Sequence, residues 1–309
     1  MNKQEKKQVF QTKDVELEAI LKNTPWNKAE IDAWQATLNT GKFGEFILKA
    51  DADIIASYNR QCNKANYFIH TSLLPQPFIG NPEAPIWILN QNPGYCEIDH
   101  YEMLGEKPDQ EWMNKNNITL RPETENRDSL ENRQKMILEQ LTFANPIDFY
   151  ILDESFHTNK HAGNGAFGGY EWWKQNLLGT ENSALFCKGD KKMLSKFFAL
   201  EISPYHSKNF DRKISMKTAH YTFWKELISY AFKRGKLLIC RKMQIIEEIQ
   251  KIPDFERNKD HVLRFVSQRT FLSNGNLISL EDYGRSEKTE DAKKHAADLI
   301  YAVLNKKSE

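Results

Sequence analysis

The run Ala84-Pro85-Ile86-Trp87-Ile88-Leu89-Asn90-Gln91-Asn92-Pro93-Gly94-Tyr95-Cys96-Glu97 constrains the chain more than any other stretch. Apolar residues lead without a break into Asn90-Gln91-Asn92, and Pro93-Gly94 then forces a turn. The run is too short to favour a helix. Its lack of alternation fits a strand buried on both faces, as in a parallel sheet. Amide side chains at the carboxyl end of such a strand stand where open α/β sheets bind ligands. The plainer alternative is an ordinary turn, for which Asn, Pro and Gly are the usual residues.

The same strand pattern recurs downstream. Phe197 to Ile202 reads as a strand ending in Ser203-Pro204-Tyr205-His206, Lys236 to Cys240 as another, and Val262 to Val266 as a third. Helices alternate with them: one capped by Ser215 and stopped by Gly235, a short one ending before Pro253, and a last one capped by Thr289. A helix near Asp128 carries Glu131 as in a capping box, and Ile147 to Leu152 reads as a short strand. Alternation of this kind implies an α/β fold with a central, mostly parallel four-stranded sheet between helical layers, an α/β/α sandwich. Residues 1–65 read as a helical extension packed on this core, with Thr24-Pro25 suited to a helix start, and residues 66–309 as the α/β domain.

Two segments stand apart. Tyr101 to Asn126 is a long polar loop, and His161 to Tyr170 is glycine-rich without the Gly-Lys-Ser/Thr ending of a phosphate loop. The latter is a flexible loop or a mobile lid.

Positive and negative side chains nearly cancel, 43 against 42, so there is no global electrostatic footprint for nucleic acid. Local basic tracts remain at Lys188 to Lys196, Lys208 to Lys217 and Lys233 to Arg241. Cys62, Cys96, Cys187 and Cys240 are scattered without metal-ligand or disulfide spacing, and the charged start Met1 to Gln8 lacks the apolar core of a signal peptide. These features lead to the expectation of a cytoplasmic protein with reduced thiols and no membrane association. His157, His161, Asp153 and Glu154 resemble metal ligands only superficially, so no metal and no cofactor are expected.

If the strands are parallel, three polar loops share one sheet edge: Asn90 to Glu97, Glu201 to His206 and Gln268 to Asn276. On these loops the chain resembles the uracil-DNA glycosylase superfamily. The first resembles that superfamily's opening motif, a strand delivering a Gln-Asp-Pro, Glu-Ala-Pro-Gly or Ile-Asn-Pro-Gly turn. The mismatch-specific branch carries the Asn-Pro-Gly form, so Asn92 matches its catalytic Asn, and Gln91 lies where the classical branch also has Gln. Glu201 falls near the base-reading Asn. The stretch Gln268 to Ser273 falls near the closing motif, usually His-Pro-Ser-Pro-Leu-Ser, and keeps only Leu272-Ser273.

The resemblance implies a fold of that type and an enzyme of base excision and DNA repair, which flips a base out of DNA and hydrolyses its N-glycosidic bond without a cofactor. Asn92 then positions a water, with Gln91 beside it, and Glu97 is either a general base or a helix cap. Asn90, Gly94, Tyr95, Glu201, Ser203 and His206 line the base pocket, with His206 catalytic, phosphate-contacting or simply structural. Gln268 or Arg269 replaces the missing His. Arg269 alternatively contacts phosphate, Phe271 or Leu272 wedges into the gap left by the flipped base, and Ser273 completes the loop. An ionised Glu201 only accepts hydrogen bonds, which favours a base with an exocyclic amino group over uracil. The partner expected is DNA, single- or double-stranded, with no obligatory protein partner. Two alternatives stay open: a catalytically inactive nucleic-acid binder on the same fold, and a hydrolase of free nucleosides.

Overall fold

The computed structural model describes residues 14–40, 44–95, 127–143, 173, 191–266, 276–282 and 290–305. Its centre is a mixed six-stranded sheet. In chain order the strands are β1 (Phe78–Gly80), β2 (Ile86–Asn90), β3 (Phe197–Glu201), β4 (Leu237–Cys240), β5 (Val262–Phe265) and β6 (Leu277–Ser279). Across the sheet they run β1-β3-β2-β4-β5-β6. The inner four are mutually parallel, while β1 and β6 are antiparallel to their neighbours at the two edges. The expectation of a four-stranded, mostly parallel sheet is therefore corrected. Each edge strand is only three residues long, too short to show a pattern in sequence.

The central position of β2 follows from its side chains. Ile86, Trp87, Ile88 and Leu89 are each at most 2 % exposed, as a strand covered on both faces requires. They join Phe197, Phe198, Leu200, Leu238 and Ile239 in one continuous core.

Among the described residues the α-helices are α1 (Val15–Lys22), α2 (Lys28–Asn39), α3 (Ala52–Gln61), α4 (Arg127–Leu141), α5 (Arg212–Ser215), α6 (Ala219–Lys233), α7 (Met243–Ile249), α8 (Phe255–Asn258) and α9 (Glu290–Asn305). Leu17, Leu21, Trp26, Ile31 and Trp34 belong to the same core as the sheet, so the N-terminal helices are part of the packed body. Asn27, rather than Thr24-Pro25, caps α2, its side chain accepting from Glu30 N. In α9 the buried positions Ala292, Ala296 and Ile300 recur every four residues, as one helical face demands.

The region around Ser215 differs from its sequence reading. Ser215 ends the short α5, which Asp211 caps by accepting from Lys213 N and Ile214 N. Helix α6 starts at Ala219, and Thr218 in its cap position makes no side-chain cap bond. Asp51 caps it instead: the buried carboxylate accepts from Ala219 N at 2.7 Å and from the Tyr205 hydroxyl at 2.7 Å. A negative group at a helix N-terminus is stabilised by the orphan amides and the helix dipole. The other end of α6 closes as expected at Gly235, whose φ of +60° lets Gly235 N and Lys236 N return to Phe232 O and Ala231 O.

Candidate functional site

Because β2 and β3 are parallel with Asn90 opposite Glu201, their polar ends emerge together. Backbone pairing continues past the strands: Ile202 N donates to Asn90 O at 3.1 Å and Ser203 N to Gln91 O at 2.8 Å. Three side-chain ties then join the two segments. Asn90 Nδ2 donates to Glu201 Oε1 at 3.0 Å. Asn92 Nδ2 donates to Ser207 O at 2.6 Å and to Ser207 Oγ at 3.1 Å. His206 Nδ1 lies 2.9 Å from Gly94 O, and its Nε2 lies 3.1 Å from Leu74 O.

These contacts have chemical consequences. A carbonyl oxygen only accepts, so Ser207 O fixes the nitrogen side of the Asn92 amide and leaves Oδ1 as its acceptor. The Ser207 hydroxyl donates its own proton to Asn209 O at 2.9 Å and therefore receives from Asn92. His206 is buried with both ring nitrogens against carbonyls, so it holds the Pro93-Gly94 turn to the Leu74 segment. A neutral ring donates to one of these carbonyls and a protonated ring to both.

Gly94 has a φ of +79°, a region costly to residues with a Cβ, although a Cβ there would meet nothing within 4 Å. Gly94→Ala is accordingly expected to lower stability by about 1–2 kcal/mol through backbone strain alone. Urea denaturation checks this, and an unchanged midpoint would remove the strain argument.

Glu201 behaves differently from its sequence reading. It is 5 % exposed, and burial pushes its carboxyl up to about 8 against the opposing pull of the Asn90 hydrogen bond. At neutral pH it keeps its proton. With Oε1 accepting from Asn90, the proton sits on Oε2, which is buried without a hydrogen-bond partner. The premise of an accept-only carboxylate is corrected: Glu201 presents a donor. An unsatisfied buried polar group of this kind costs about 1–3 kcal/mol, and Oε2 is closed to solvent in this structure.

Neighbouring His220 is fully buried and pushed down to about 4 by burial. As a neutral ring it donates from Nε2 to Glu201 O at 2.9 Å and accepts from Trp26 Nε1 at Nδ1.

The proton on Glu201 has a measurable signature. Unfolded, the carboxyl titrates near 4.5; folded, near 8. Between these values the native state holds the extra proton, so stability falls as pH rises. His220 acts oppositely between about 4 and 6.5, where the unfolded chain binds the extra proton. Lys236, lowered by burial to about 8, acts above that value. Glu201 thus dominates between about 6.5 and 8. Glu201→Gln is expected to gain stability relative to wild type across that interval, by up to about 1.4 kcal/mol per pH unit. Denaturation at both ends of the interval measures it, and a constant difference would contradict a protonated Glu201.

Gln91 donates through Nε2 to Gln244 Oε1 at the start of α7. Ser203 is buried, with its N–H on Gln91 O. Tyr95 stacks face to face on His70, ring centroids 3.5 Å apart. The site thus brings together Asn90, Gln91, Asn92, Gly94, Tyr95, Glu201, Ser203 and His206. Glu97, Gln268, Arg269, Phe271 and Ser273 lie outside the described residues, as do the Tyr101–Asn126 and His161–Tyr170 loops, the strand expected at Ile147–Leu152, and His157, Asp153 and Glu154. Asn276, at the end of the third loop, is buried on the same edge, its carbonyl accepting from Val266 N.

Ser207, His70 and Gln244 had no sequence signal, since each acquires its partner only through the fold. Among the described residues no group of three or more His, Cys, Asp or Glu is placed to hold a metal, and no helix is long and apolar enough to cross a membrane. Comparison with protein-family models, with curated proteins and with solved structures gives no match to this chain.

Proposed function

We propose that the protein is a DNA glycosylase-like hydrolase that cleaves the bond between a damaged or modified base and deoxyribose, on a three-layer arrangement like that of uracil-DNA glycosylases. The observation that carries this reading is Asn92, clamped by Ser207 across the ends of β2 and β3 so that Oδ1 is left as its acceptor, two residues past the part-buried Asn90–Glu201 pair. In the reaction a water held by Oδ1 adds its oxygen to the sugar C1′ as the C–N bond breaks, the base leaves with the bonding electrons, and the proton shed by the water passes through solvent to the departed base. A carboxamide is a poor proton acceptor, so Asn92 contributes orientation rather than proton abstraction. Once base entry opens the buried Glu201 position, its Oε2 proton reads the base, which suits a base with a carbonyl acceptor. Carbonyl-bearing lesions such as uracil, hypoxanthine and xanthine therefore return as substrates of first choice.

The test is incubation with single- and double-stranded oligonucleotides carrying uracil, hypoxanthine, xanthine or modified cytosines, followed by alkali. Cleavage at the modified position supports the proposal; inertness across the panel rejects it. A second reading is binding without turnover, favoured by the two bonds that Asn92 already makes to Ser207, which also suit a purely structural turn lock. Retained oligonucleotide binding with no abasic product would favour it.

A further inference from the structure

Residues 203–207 run from the end of β3 to the Asn92 clamp, yet no strand or helix fixes their path, and their one ladder contact is the isolated bridge between His206 and His70. Their course is set by ties made residue by residue. Ser203 N donates to Gln91 O at 2.8 Å, Pro204 O accepts from Gln76 N at 2.9 Å, and the His206 ring reaches Gly94 O and Leu74 O. Ser207 then holds the amide of Asn92. Tyr205 is the buried member whose side chain reaches back to the N-terminal helices.

The Tyr205 hydroxyl donates to Asp51 Oδ2 at 2.7 Å and accepts from Leu48 N at 3.2 Å, and the ring meets Trp26 edge-on with centroids 6.4 Å apart. Asp51 is placed against a local rule. It stands at the cap position of α3, where an aspartate ordinarily accepts from the first amides of its own helix, but it makes no such bond. Its buried carboxylate is committed instead to Tyr205 and to Ala219 N at the start of α6. Natural chains set aside a local preference mostly at functional or strained positions. Trp26 backs the same edge a second time: its indole N–H goes to His220 Nδ1, and His220 Nε2 donates to Glu201 O. The N-terminal helices therefore stand behind both Glu201 and the segment that clamps Asn92.

From this arrangement we infer that Tyr205, seated on Asp51, is a positioning residue for Asn92, which makes the N-terminal helices a working part of the site. The inference rests on the proposed activity for what Asn92 does, but not for where Asn92 is held. A hydroxyl that closes two hydrogen bonds in a dry setting fixes its side chain closely, because any other placement leaves the Asp51 carboxylate and Leu48 N–H short of a partner. Through Tyr205 that constraint passes to Ser207 two residues on, whose carbonyl sets the direction of the Asn92 amide. A shift of about 1 Å at such a group is enough to lower turnover about 100-fold.

Tyr205→Phe keeps the ring against Trp26 and removes only the hydroxyl. Two readouts on the full chain test it: kcat and KM for excision from the modified oligonucleotides, and the side-chain amide resonances of Asn92 by NMR, identified by their loss in Asn92→Ala. The expected result is a kcat lowered about 10- to 100-fold with KM within about twofold of wild type. Both Asn92 amide resonances should move toward those of a solvent-exposed asparagine and exchange faster. Asp51→Asn is the milder variant, since it keeps an acceptor for Ala219 N; it should move the resonances the same way and serves where Tyr205→Phe does not fold. Arg234→Gln controls for general loosening: it releases the Asp14 and Glu16 ion pairs at the far end of α6 and should leave the resonances in place. Wild-type Asn92 resonances or wild-type kcat in a folded Tyr205→Phe or Asp51→Asn protein, or equal movement in Arg234→Gln, would overturn the inference. If the wild-type chain excises no base, the proposed activity falls, and the resonances alone decide the positioning.

Discussion

Asn92→Ala is expected to lose about 100-fold or more of its base-excision rate while staying folded and melting only a few degrees below wild type, since positioning a nucleophile contributes on that scale. The side chain makes only two hydrogen bonds, both to Ser207, so its removal costs about 1–2 kcal/mol of stability. Ser207→Ala separates orientation from presence. It deletes Oγ but keeps the carbonyl that sets the amide's direction, and a loss under tenfold is expected. Quantifying alkali-labile abasic sites over time checks both variants. Full activity in Asn92→Ala would reject its role in turnover.

The largest stability effect is expected at Trp87. It is fully buried in β2, packs on Phe198 at 4.8 Å between centroids and on Tyr230 of α6 at 6.3 Å, and donates its indole N–H to Ala84 O at 2.9 Å. Trp87→Ala removes both contacts from the centre of the sheet and is expected to cost about 3–5 kcal/mol. Against a typical total of about 5–15 kcal/mol, that brings the chain near its folding threshold. Trp87→Phe keeps most of the volume and is expected to lose markedly less. Guanidinium denaturation of the pair measures the difference, and a loss below about 1 kcal/mol in the alanine variant would contradict the packing described.

How much of this was legible beforehand depends on the range of the interaction involved. The apolar runs of β2, β3, β4 and β5 were readable because a strand buried on both faces writes its environment into consecutive residues. The Gly235 stop was readable because it is a local backbone requirement. The edge strands were not, since three residues carry no periodicity and exist only by pairing with a neighbour.

The same division runs through the site. The Asn90 to Gly94 turn announced itself, but its ties to Glu201 and Ser207 cross more than a hundred residues and depend on strand register. The cap on α6 comes from Asp51, 168 positions before the amide it receives. Glu201 was misjudged for a related reason. A carboxylate's usual ionisation is a property of the residue in water, whereas its retained proton here is a property of burial.

The placement of β2 also bears on how the chain is made. This strand is central in space but early in synthesis, and its two neighbours are β3 and β4. The second of them is complete only about 150 residues after Asn90 has been added. At a translation rate of about 5–20 residues per second, this apolar strand waits roughly eight to thirty seconds with at least one edge unpaired. During that interval its open backbone is a template for pairing with other chains. Nascent protein should therefore depend on a holding chaperone far more than the completed fold does. Ribosome-bound chains halted just before β4 should bind such a chaperone, and chains halted well after it should not.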